Sequence, residues 1–267
     1  MSLTSMTLSS PEKISEGVHY RVFGDSDLPV LVFGNSLATD IRLWAEQIAC
    51  FQSRYRIVVF DYPGHGSPLW PEAANMRQFA AKIALMLDAL DVTYYNYCGL
   101  SMGGALGMAL ALQHPQRMQK LVLSNTAAQL GPADFWNRRM EVAMTQGMSV
   151  LADASLARWF TPEAVEADPA KYAIAKKMFL ATEPEGYAQC CIAIRDFEFT
   201  DQLSAIAVPT LVIAGAHDTA CTTAQAHLMA ETIPNAGYCE IPAAHLGNLG
   251  AGPEFNAALA SFLQIVK

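Results

Sequence analysis

Charged residues are scarce in this sequence, and acidic ones outnumber basic ones. Asp, Glu, Lys and Arg together make up 16% of the 267 residues, with 25 acidic and 17 basic side chains and a net charge of −8. A protein of that charge repels phosphate backbones and anionic lipid headgroups at long range. The composition therefore argues against nucleic acid and membrane surfaces as partners, and we expect a small molecule instead.

The sequence also lacks the usual signals for export, for membrane insertion and for metal binding. No apolar run approaches the roughly 20 residues that a membrane span needs, and residues 1–12 lack the basic-then-apolar pattern of a signal peptide. The six cysteines show no C-x-x-C spacing, which argues against a zinc site and indicates reduced thiols. We expect a cytoplasmic protein that needs no metal and no other cofactor.

Hydrophobic residues, by contrast, make up 52% of the chain, which is enough for one large core. Apolar runs typical of buried strands alternate with stretches of helical periodicity. The predicted strands cover residues 29–34, 55–61, 120–125, 209–215 and 237–241, and the predicted helices cover residues 43–52 and 76–90. This alternation predicts an α/β fold, with a mostly parallel central sheet and helices on both faces. Residues 17–24 and 29–34 are expected to form an antiparallel hairpin at its start.

The alternation stops in the second half of the chain, where residues 127–196 contain helix-like stretches but no strand pattern. Three X-Pro pairs interrupt these stretches, and the strand pattern resumes at Val208. An all-helical insertion between two strands predicts a cap over the active-site end of the sheet. We therefore divide the chain into a flexible N-terminus at residues 1–15, a core of residues 16–126 and 197–267, and a helical cap of residues 127–196.

The motif Gly99-Leu100-Ser101-Met102-Gly103 follows an apolar run and precedes a strong helix pattern. A strand that enters Gly-x-Ser-x-Gly and leaves as a helix forms a tight turn, which exposes the serine hydroxyl above the sheet. The residues around that turn must be small because strand and helix nearly collide there. The context predicts that Ser101 is the nucleophile of an acyl-transfer reaction.

An acid and a histidine follow this serine in the order that such a nucleophile requires. Asp218 comes just after the apolar run of residues 209–215, and His245 lies between a short strand and the last helix. Chemistry in open α/β sheets is located at the carboxyl ends of strands. A lone Asp in a loop is commonly a turn residue. Three such residues, each after its own strand, instead predict a catalytic triad of Ser101, Asp218 and His245.

A serine nucleophile also needs backbone N–H groups that stabilise the oxyanion of the tetrahedral intermediate. One is expected from Met102, the residue after the nucleophile, at the positive end of the helix. The other is expected from Leu37, because Gly34-Asn35-Ser36 can form the turn that directs the next amide inward. We predict an oxyanion hole formed by Leu37 and Met102.

These segments resemble the α/β-hydrolases and, within them, the 3-oxoadipate enol-lactonases. The resemblance covers nearly the whole chain after residue 15, and the cap motifs are its most specific part. The matching segments are Asn35-Ser36-Leu37-Ala38-Thr39-Asp40, residues 98–104, Asn125-Thr126-Ala127-Ala128, Gln146-Gly147-Met148, Leu151-Ala152-Asp153-Ala154, Arg158-Trp159-Phe160-Thr161-Pro162, Glu185-Gly186-Tyr187-Ala188, Cys191 and residues 243–248. The resemblance implies hydrolysis of 3-oxoadipate enol-lactone through an acyl-enzyme, without a cofactor.

Such a substrate carries a free carboxylate, which an acidic protein must attract with a local cation. The cap offers Arg138, Arg139, Arg158 and Arg195. The resemblance favours Arg139, one helical turn after Trp136, so that both side chains can face the pocket. The chain departs from the family at Pro63, where these lactonases usually carry arginine within Asp-Thr-Arg-Gly-His-Gly. We interpret that segment chiefly as a structural turn.

Three other functions are compatible with the same residues. A general carboxylesterase or an unrelated lactonase would use the same triad beneath a more apolar cap. A cofactor-free perhydrolase or haloperoxidase shares the Ser101-Met102-Gly103-Gly104 motif. A ligand receptor built on a hydrolase scaffold would bind without turnover, although it would have no need for Asp218. The sequence carries no signal for a particular oligomeric state.

Overall fold

The computed structural model describes residues 10–71 and 73–264, and within them eight strands form a single sheet. The strands are β1 (Lys13–Ser15), β2 (Val18–Phe23), β3 (Val30–Gly34), β4 (Arg56–Phe60), β5 (Tyr95–Leu100), β6 (Met118–Ser124), β7 (Thr210–Gly215) and β8 (Ala236–Ile241). Their order across the sheet is β1-β2-β4-β3-β5-β6-β7-β8, and all pairs from β4 to β8 are parallel. The predicted mostly parallel α/β sheet is confirmed.

Helices fill most of the connections between these strands. In the described part of the chain they are α1 (Ala45–Phe51), α2 (Met76–Ala89), α3 (Met102–Gln113), α4 (Ala133–Gln146), α5 (Ser149–Trp159), α6 (Pro162–Ala167), α7 (Pro169–Ala181), α8 (Pro184–Arg195), α9 (Thr223–Thr232), α10 (Gly247–Gly250) and α11 (Gly252–Leu263). Short 3-10 turns occupy Ile41–Trp44 and Thr200–Ala205. No helix of these residues is both long and apolar enough to cross a membrane.

Both faces of the sheet are covered. Successive side chains of a strand point to opposite faces, and every residue of β5 and of β7 is buried. Helix α3 packs on β5 and β6 beside α2, while α11 packs on β7 and β8 and also contacts α1. The near-continuous apolar runs recognised in the sequence therefore correspond to strands enclosed between two layers of helices.

Two expectations for the start of the chain need correction. Strand β2 does not form a hairpin with β3, because it pairs antiparallel with β4, which lies between them. Four of the five β4 residues are fully buried, so that strand needs a neighbour on each side. The hairpin that does form joins β1 to β2 through Glu16 and Gly17, both with positive φ, as a tight primed turn requires.

The predicted flexible N-terminus falls partly outside the described residues, which begin at Ser10. Its last three residues, Lys13–Ser15, form strand β1 at the edge of the sheet. The expected boundary at residue 15 therefore differs from the structure, in which the sheet already begins at Lys13. The pairing of β1 with β2 is a tertiary contact that these three residues alone do not indicate.

Helices α4 to α8 lie between β6 and β7 in the chain, and we refer to them as the cap helices. Three of them begin with proline at the first helical position, where the missing N–H is not needed. Lys171 of α7 forms an ion pair with Glu46 at 2.8 Å, and Gln189 of α8 donates to the carbonyl of Ala73 at 2.8 Å. These contacts attach the cap helices to the rest of the molecule on two sides.

Helix α3 approaches β3 so closely that a side chain would not fit between them. A Cβ atom built on Gly103 would lie 2.1 Å from the carbonyl oxygen of Gly34, and one built on Gly99 would lie 2.1 Å from that of Gly103. These glycines allow strand and helix to meet at the turn that carries Ser101.

We expect Gly103→Ala to lower the free energy of unfolding by about 3 kcal/mol, because the new methyl group collides with backbone that cannot move aside. Gly237→Ala is the control, since a Cβ there is 3.7 Å from its nearest neighbour, the Leu211 side chain. Urea unfolding measures both variants. Equal stability of the two would mean that α3 can shift without cost.

Candidate active site

Ser101 occupies a strained turn between β5 and α3. Its backbone has φ 57° and ψ −114°, outside the regions that a residue with a side chain normally adopts. The Ser101 N–H donates to the carbonyl of Ser124 at 2.9 Å, which ties the turn to the neighbouring strand β6. The close packing around the turn maintains this strained conformation. The Ser101 hydroxyl faces a cavity beneath the cap helices.

The structure brings together the three residues predicted as a triad. His245 Nε2 lies 2.9 Å from Ser101 Oγ, and His245 Nδ1 lies 2.9 Å from Asp218 Oδ2. The three side chains come from the loops that follow β5, β7 and β8, so the carboxyl ends of three parallel strands converge at this point. All three residues are buried.

Asp218 is held as an anion by its surroundings. Its second oxygen accepts backbone N–H groups from Ala220 at 2.8 Å and from Cys221 at 3.0 Å, and Asn125 Nδ2 donates to Oδ2 at 3.1 Å. Burial alone raises the pKa of this carboxyl, but the charge of His245 and these hydrogen bonds outweigh it, so the pKa is lowered overall. The carboxylate can therefore orient the imidazole and stabilise its protonated form.

The two residues predicted as oxyanion donors are both found close to the cavity that Ser101 faces. Leu37 belongs to the loop after β3, which lines the cavity, and Met102 begins α3 directly after the serine. Neither N–H donates to an acceptor among residues 10–71 and 73–264. Free backbone donors beside a serine hydroxyl would stabilise negative charge on a substrate, so an oxyanion hole of Leu37 and Met102 stays a prediction.

The cap helices close the cavity from above, leaving a volume of about 210 Å³. Its walls combine aromatic side chains with two guanidinium groups, and none of its described lining residues is Asp or Glu. The cap residues in the wall include Trp136, Arg139, Arg158, Trp159, Phe179 and Tyr187.

The end of α5 is hydrogen-bonded to the loop that carries His245. The His245 N–H donates to the carbonyl of Arg158 at 3.3 Å, and the Leu246 N–H donates to that of Trp159 at 3.1 Å. The cap therefore helps to set the position of the histidine as well as covering the cavity.

A family model described as the alpha/beta hydrolase fold matches residues 29–251 of the sequence. The chain belongs to this family. It is 34% identical to 3-oxoadipate enol-lactonase 2 of Acinetobacter baylyi, over 92% of this chain and 93% of that protein. The crystal structure of an enol-lactonase from Burkholderia xenovorans superposes with a TM-score of 0.91 at 37% identity, covering 95% of this chain and 100% of that one.

A third relative is a thermophilic esterase from Thermogutta terrifontis, solved with malate bound. It superposes with a TM-score of 0.87 at 26% identity, covering 92% of this chain and 93% of that one. The resemblance recognised from the sequence is thus confirmed, and the α/β hydrolase is an enzyme that acts on ester bonds.

Two of the four candidate arginines reach the cavity of this hydrolase. Arg139 donates from Nε to the Tyr187 hydroxyl at 2.6 Å and from Nη2 to Ser155 Oγ at 2.8 Å, so neutral partners hold it in place. Arg158 stacks over the Phe135 ring at 5.4 Å and has no hydrogen-bond partner for its guanidinium in the described part of the chain. Within the same residues, neither arginine forms an ion pair with a carboxylate.

The other two arginines lie away from the cavity. Arg138 of α4 is exposed and does not line the cavity, and Arg195 forms an ion pair with Asp196 at 2.7 Å. Burial and the neighbouring charge of Arg139 lower the pKa of Arg158. The cavity thus holds two like charges close together, an arrangement that an anionic ligand would stabilise.

Trp136 combines packing with a place in the cavity wall. Its indole N–H donates to the carbonyl of Leu130, and its ring packs edge-on against Phe135 at 5.0 Å. The tryptophan therefore fixes the loop before α4 and is also one of the lining residues of the cavity.

Sequence reasoning missed two residues that support this site. Asn125, at the carboxyl end of β6, donates to Asp218 and also to the carbonyl of Ala244 at 3.1 Å. His65 accepts the N–H of Ala38, next to Leu37, at 2.9 Å. The position of Asn125 directly after a strand was a usable signal, whereas the pairing of His65 with Ala38 spans 27 residues and has no local signature.

One group of potential metal ligands occurs among residues 10–71 and 73–264, and it coincides with the triad. Ligand atoms of Asp218, Cys221 and His245 lie within 4.8 Å of one another. Asp218 and His245 already bond to each other, and burial raises the pKa of the Cys221 thiol, which keeps it neutral. The donor set is better suited to a hydrogen-bonded chain than to a cation.

Burial lowers the pKa of His65 from 6.5 to about 4, so the folded protein binds fewer protons here than the unfolded chain does in that range. Stability therefore falls as the pH drops, by about 2 kcal/mol from this residue between about pH 7.5 and about pH 5. We expect His65→Gln, which keeps an acceptor but does not titrate, to lose correspondingly less. Urea unfolding at both pH values measures the difference, and parallel losses in the two proteins would contradict it.

Proposed function

We propose that this hydrolase is a serine enzyme that cleaves a carboxylic ester or lactone through an acyl-enzyme on Ser101. The observation that carries the proposal is the pair of 2.9 Å contacts that link Ser101 to His245 and His245 to Asp218. Because the Asp218 carboxylate can only accept a hydrogen bond, His245 Nδ1 must donate it and therefore carries the proton. His245 Nε2 is then free to act as a base.

In the proposed reaction, Ser101 Oγ attacks the substrate carbonyl and its proton passes to His245 Nε2. The N–H groups of Leu37 and Met102 stabilise the oxyanion that forms on the carbonyl oxygen. His245 then protonates the leaving oxygen, and the acyl group remains on the serine. Water, deprotonated by the same nitrogen, attacks the acyl-enzyme, and His245 returns that proton to Ser101 Oγ as the carboxylic acid is released.

We propose 3-oxoadipate enol-lactone as the substrate. The support comes from relatives that carry the enol-lactonase name, at 30%, 34% and 37% identity, and from the cavity itself. Arg139 is held by neutral groups, so no carboxylate of the protein neutralises its charge. Arg158 lies nearby and has neither a hydrogen-bond nor an ion-pair partner among the described residues. A substrate with a free carboxylate would satisfy both groups. Its leaving group is an enol, which is a weaker base than an alkoxide.

We also propose a reducing compartment such as the cytoplasm. All six cysteines of the chain are free in the structure, including the adjacent pair Cys190 and Cys191. Free thiols in this number are typical of proteins that are not exported to oxidising surroundings.

Replacement of the proposed nucleophile provides the first test. We expect Ser101→Ala to reduce hydrolysis of freshly generated 3-oxoadipate enol-lactone by at least about 1,000-fold, since no acyl-enzyme can form. The reaction is measured by the decrease in the ultraviolet absorbance of the lactone. Turnover by Ser101→Ala close to wild type would contradict the serine mechanism. If the lactone is not hydrolysed but a p-nitrophenyl ester is cleaved in a reaction that needs Ser101, the proposed substrate is wrong and the serine mechanism stands.

A second test addresses the carboxylate. We expect Arg139→Met to raise KM for the lactone by about 10- to 100-fold, the loss of one charge-assisted contact, with little change for a neutral p-nitrophenyl ester. Arg138→Met, one residue away on the exposed side of α4, is the matched control. Equal losses on the charged and the neutral substrate would show that Arg139 supports the cavity wall instead of binding the carboxylate.

A general carboxylesterase is the second candidate. The aromatic part of the wall, with Trp159, Phe179 and Tyr187, favours it, as does the similarity to the Thermogutta terrifontis esterase. The comparison of charged with neutral substrates separates the two functions, because an esterase of this kind gains nothing from a carboxylate on its substrate.

A further inference from the structure

The turn of residues 61–66, where the chain departs from the family pattern at Pro63, lies directly behind the loop that carries Leu37. His65 is buried at its centre with both ring nitrogens occupied. Nδ1 lies 2.7 Å from the carbonyl oxygen of Pro63, and Nε2 lies 2.9 Å from the backbone nitrogen of Ala38. Because a carbonyl can only accept, Nδ1 carries the proton and Nε2 accepts the Ala38 N–H. The two neighbours thus select one neutral tautomer.

The accepted N–H belongs to a strained residue. Ala38 has φ 59°, the left-handed region that a residue with a side chain adopts only when its surroundings require it. The loop is also held on its other side, where Asn35 Nδ2 donates to the carbonyl of Phe60 at 2.9 Å. The N–H of Thr39 closes the turn on the carbonyl of Ser36 at 3.2 Å.

With these groups engaged, Leu37 keeps the N–H that has no acceptor in the described part of the chain. The bond to His65 fixes the Ala38 N–H, and with it the backbone on the carboxyl side of Leu37, whose own N–H stays available to a ligand in the cavity. Loss of the His65 acceptor would leave the Ala38 N–H buried and unsatisfied. The loop would then relax toward a conformation with negative φ at Ala38, and the Leu37 N–H would move with it.

The turn that carries His65 is itself fixed by the cap. The Glu183 N–H donates to the carbonyl of Gly64 at 2.8 Å, and a Cβ atom on Gly186 would lie 2.3 Å from the Gly64 Cα. Both cap residues belong to the start of α8, the helix whose Tyr187 holds Arg139. His65 therefore stands between the start of α8 and the loop that carries Leu37.

We propose that His65 is a positioning residue for catalysis, which directs the Leu37 N–H toward the developing oxyanion by accepting the N–H of Ala38. The inference rests on the proposed serine mechanism, because only a tetrahedral intermediate needs that donor. It assigns no contact between His65 and the substrate. Its effect belongs to the transition state, so it changes the rate of acylation and leaves ground-state binding unchanged.

Two variants separate this role from packing. His65→Leu fills a similar volume but has no acceptor, whereas His65→Gln can place its Oε1 near the position of Nε2. We expect His65→Leu to lower the acylation rate per active site by about 100-fold, the loss typical of one misplaced oxyanion donor. The dissociation constant of the ester, obtained from the dependence of the burst rate on its concentration, should stay within about threefold of wild type. His65→Gln should recover at least about tenfold of that loss.

Pre-steady-state bursts with a p-nitrophenyl ester provide both readouts, since the amplitude counts folded active sites and the rate reports acylation. The affinity of an arylboronic acid, whose adduct on Ser101 places an oxygen at the oxyanion position, should fall in parallel with that rate. A purely structural role would lower the burst amplitude and leave the rate per site and the boronate affinity unchanged. That outcome would overturn the proposal.

If His65→Leu does not fold, His65→Asn takes its place, because its short side chain can reach Pro63 but not Ala38. Wild-type acylation by His65→Asn would equally overturn the role of His65. The proposed function fails in a different way, by turnover that survives in Ser101→Ala. If the burst requires Ser101 but His65→Leu acylates at the wild-type rate, the serine mechanism stands and only the role of His65 is overturned.

Discussion

The close contact between β3, β5 and α3 is the constraint on which the rest of this site depends. Gly103 packs directly on the backbone of Gly34, and Gly99 packs on the backbone of Gly103. The Tyr97 hydroxyl lies against Gly34 and donates to the carbonyl of Gly103 at 2.9 Å. Ser101 is left in a conformation with positive φ, its hydroxyl at the carboxyl end of the sheet and the first N–H of α3 beside it. If α3 packed less closely on β3 and β5, the Ser101 backbone could adopt an unstrained conformation. The first N–H of α3 would then also move away from the serine hydroxyl.

The protein as a whole is negatively charged, but its cavity is lined by positive charge. The protein carries a net charge of −8, yet its cavity presents the guanidinium groups of Arg139 and Arg158, with no acidic residue among its described lining residues. Long-range electrostatics therefore disfavour an anionic substrate, and short-range contacts in a partly desolvated cavity must recover the affinity. This arrangement favours selection by a specific carboxylate contact over general attraction of anions.

The cap has a second role besides enclosing the cavity. The carbonyls at the end of α5 accept N–H groups from the His245 loop, and the start of α8 is bonded to the turn that holds His65. The proposed base His245 and the loop of the proposed oxyanion donor Leu37 are thus each linked to the cap by hydrogen bonds. A substrate that alters the packing of the cap helices would act on both loops through hydrogen bonds that already exist.

Much of this architecture could be predicted from the sequence, because it is encoded in local patterns. Apolar runs specify buried strands, Gly-x-Ser-x-Gly specifies the turn around Ser101, and the order of Asp218 and His245 follows from the strands that precede them. The resemblance of the cap motifs to the enol-lactonases can also be recognised from the sequence, because it rests on short runs of residues. These features depend on residues that are neighbours in the chain.

The tertiary structure decided what depends on residues far apart. Strand β2 pairs with β4 and not with β3, because the buried strand β4 needs a neighbour on both sides, and no local pattern expresses that requirement. Equally, only the fold shows that Arg139 and Arg158 face the cavity while Arg138 and Arg195 do not. The same holds for His65 and Ala38, since a hydrogen bond across 27 residues is determined by where two loops come to lie.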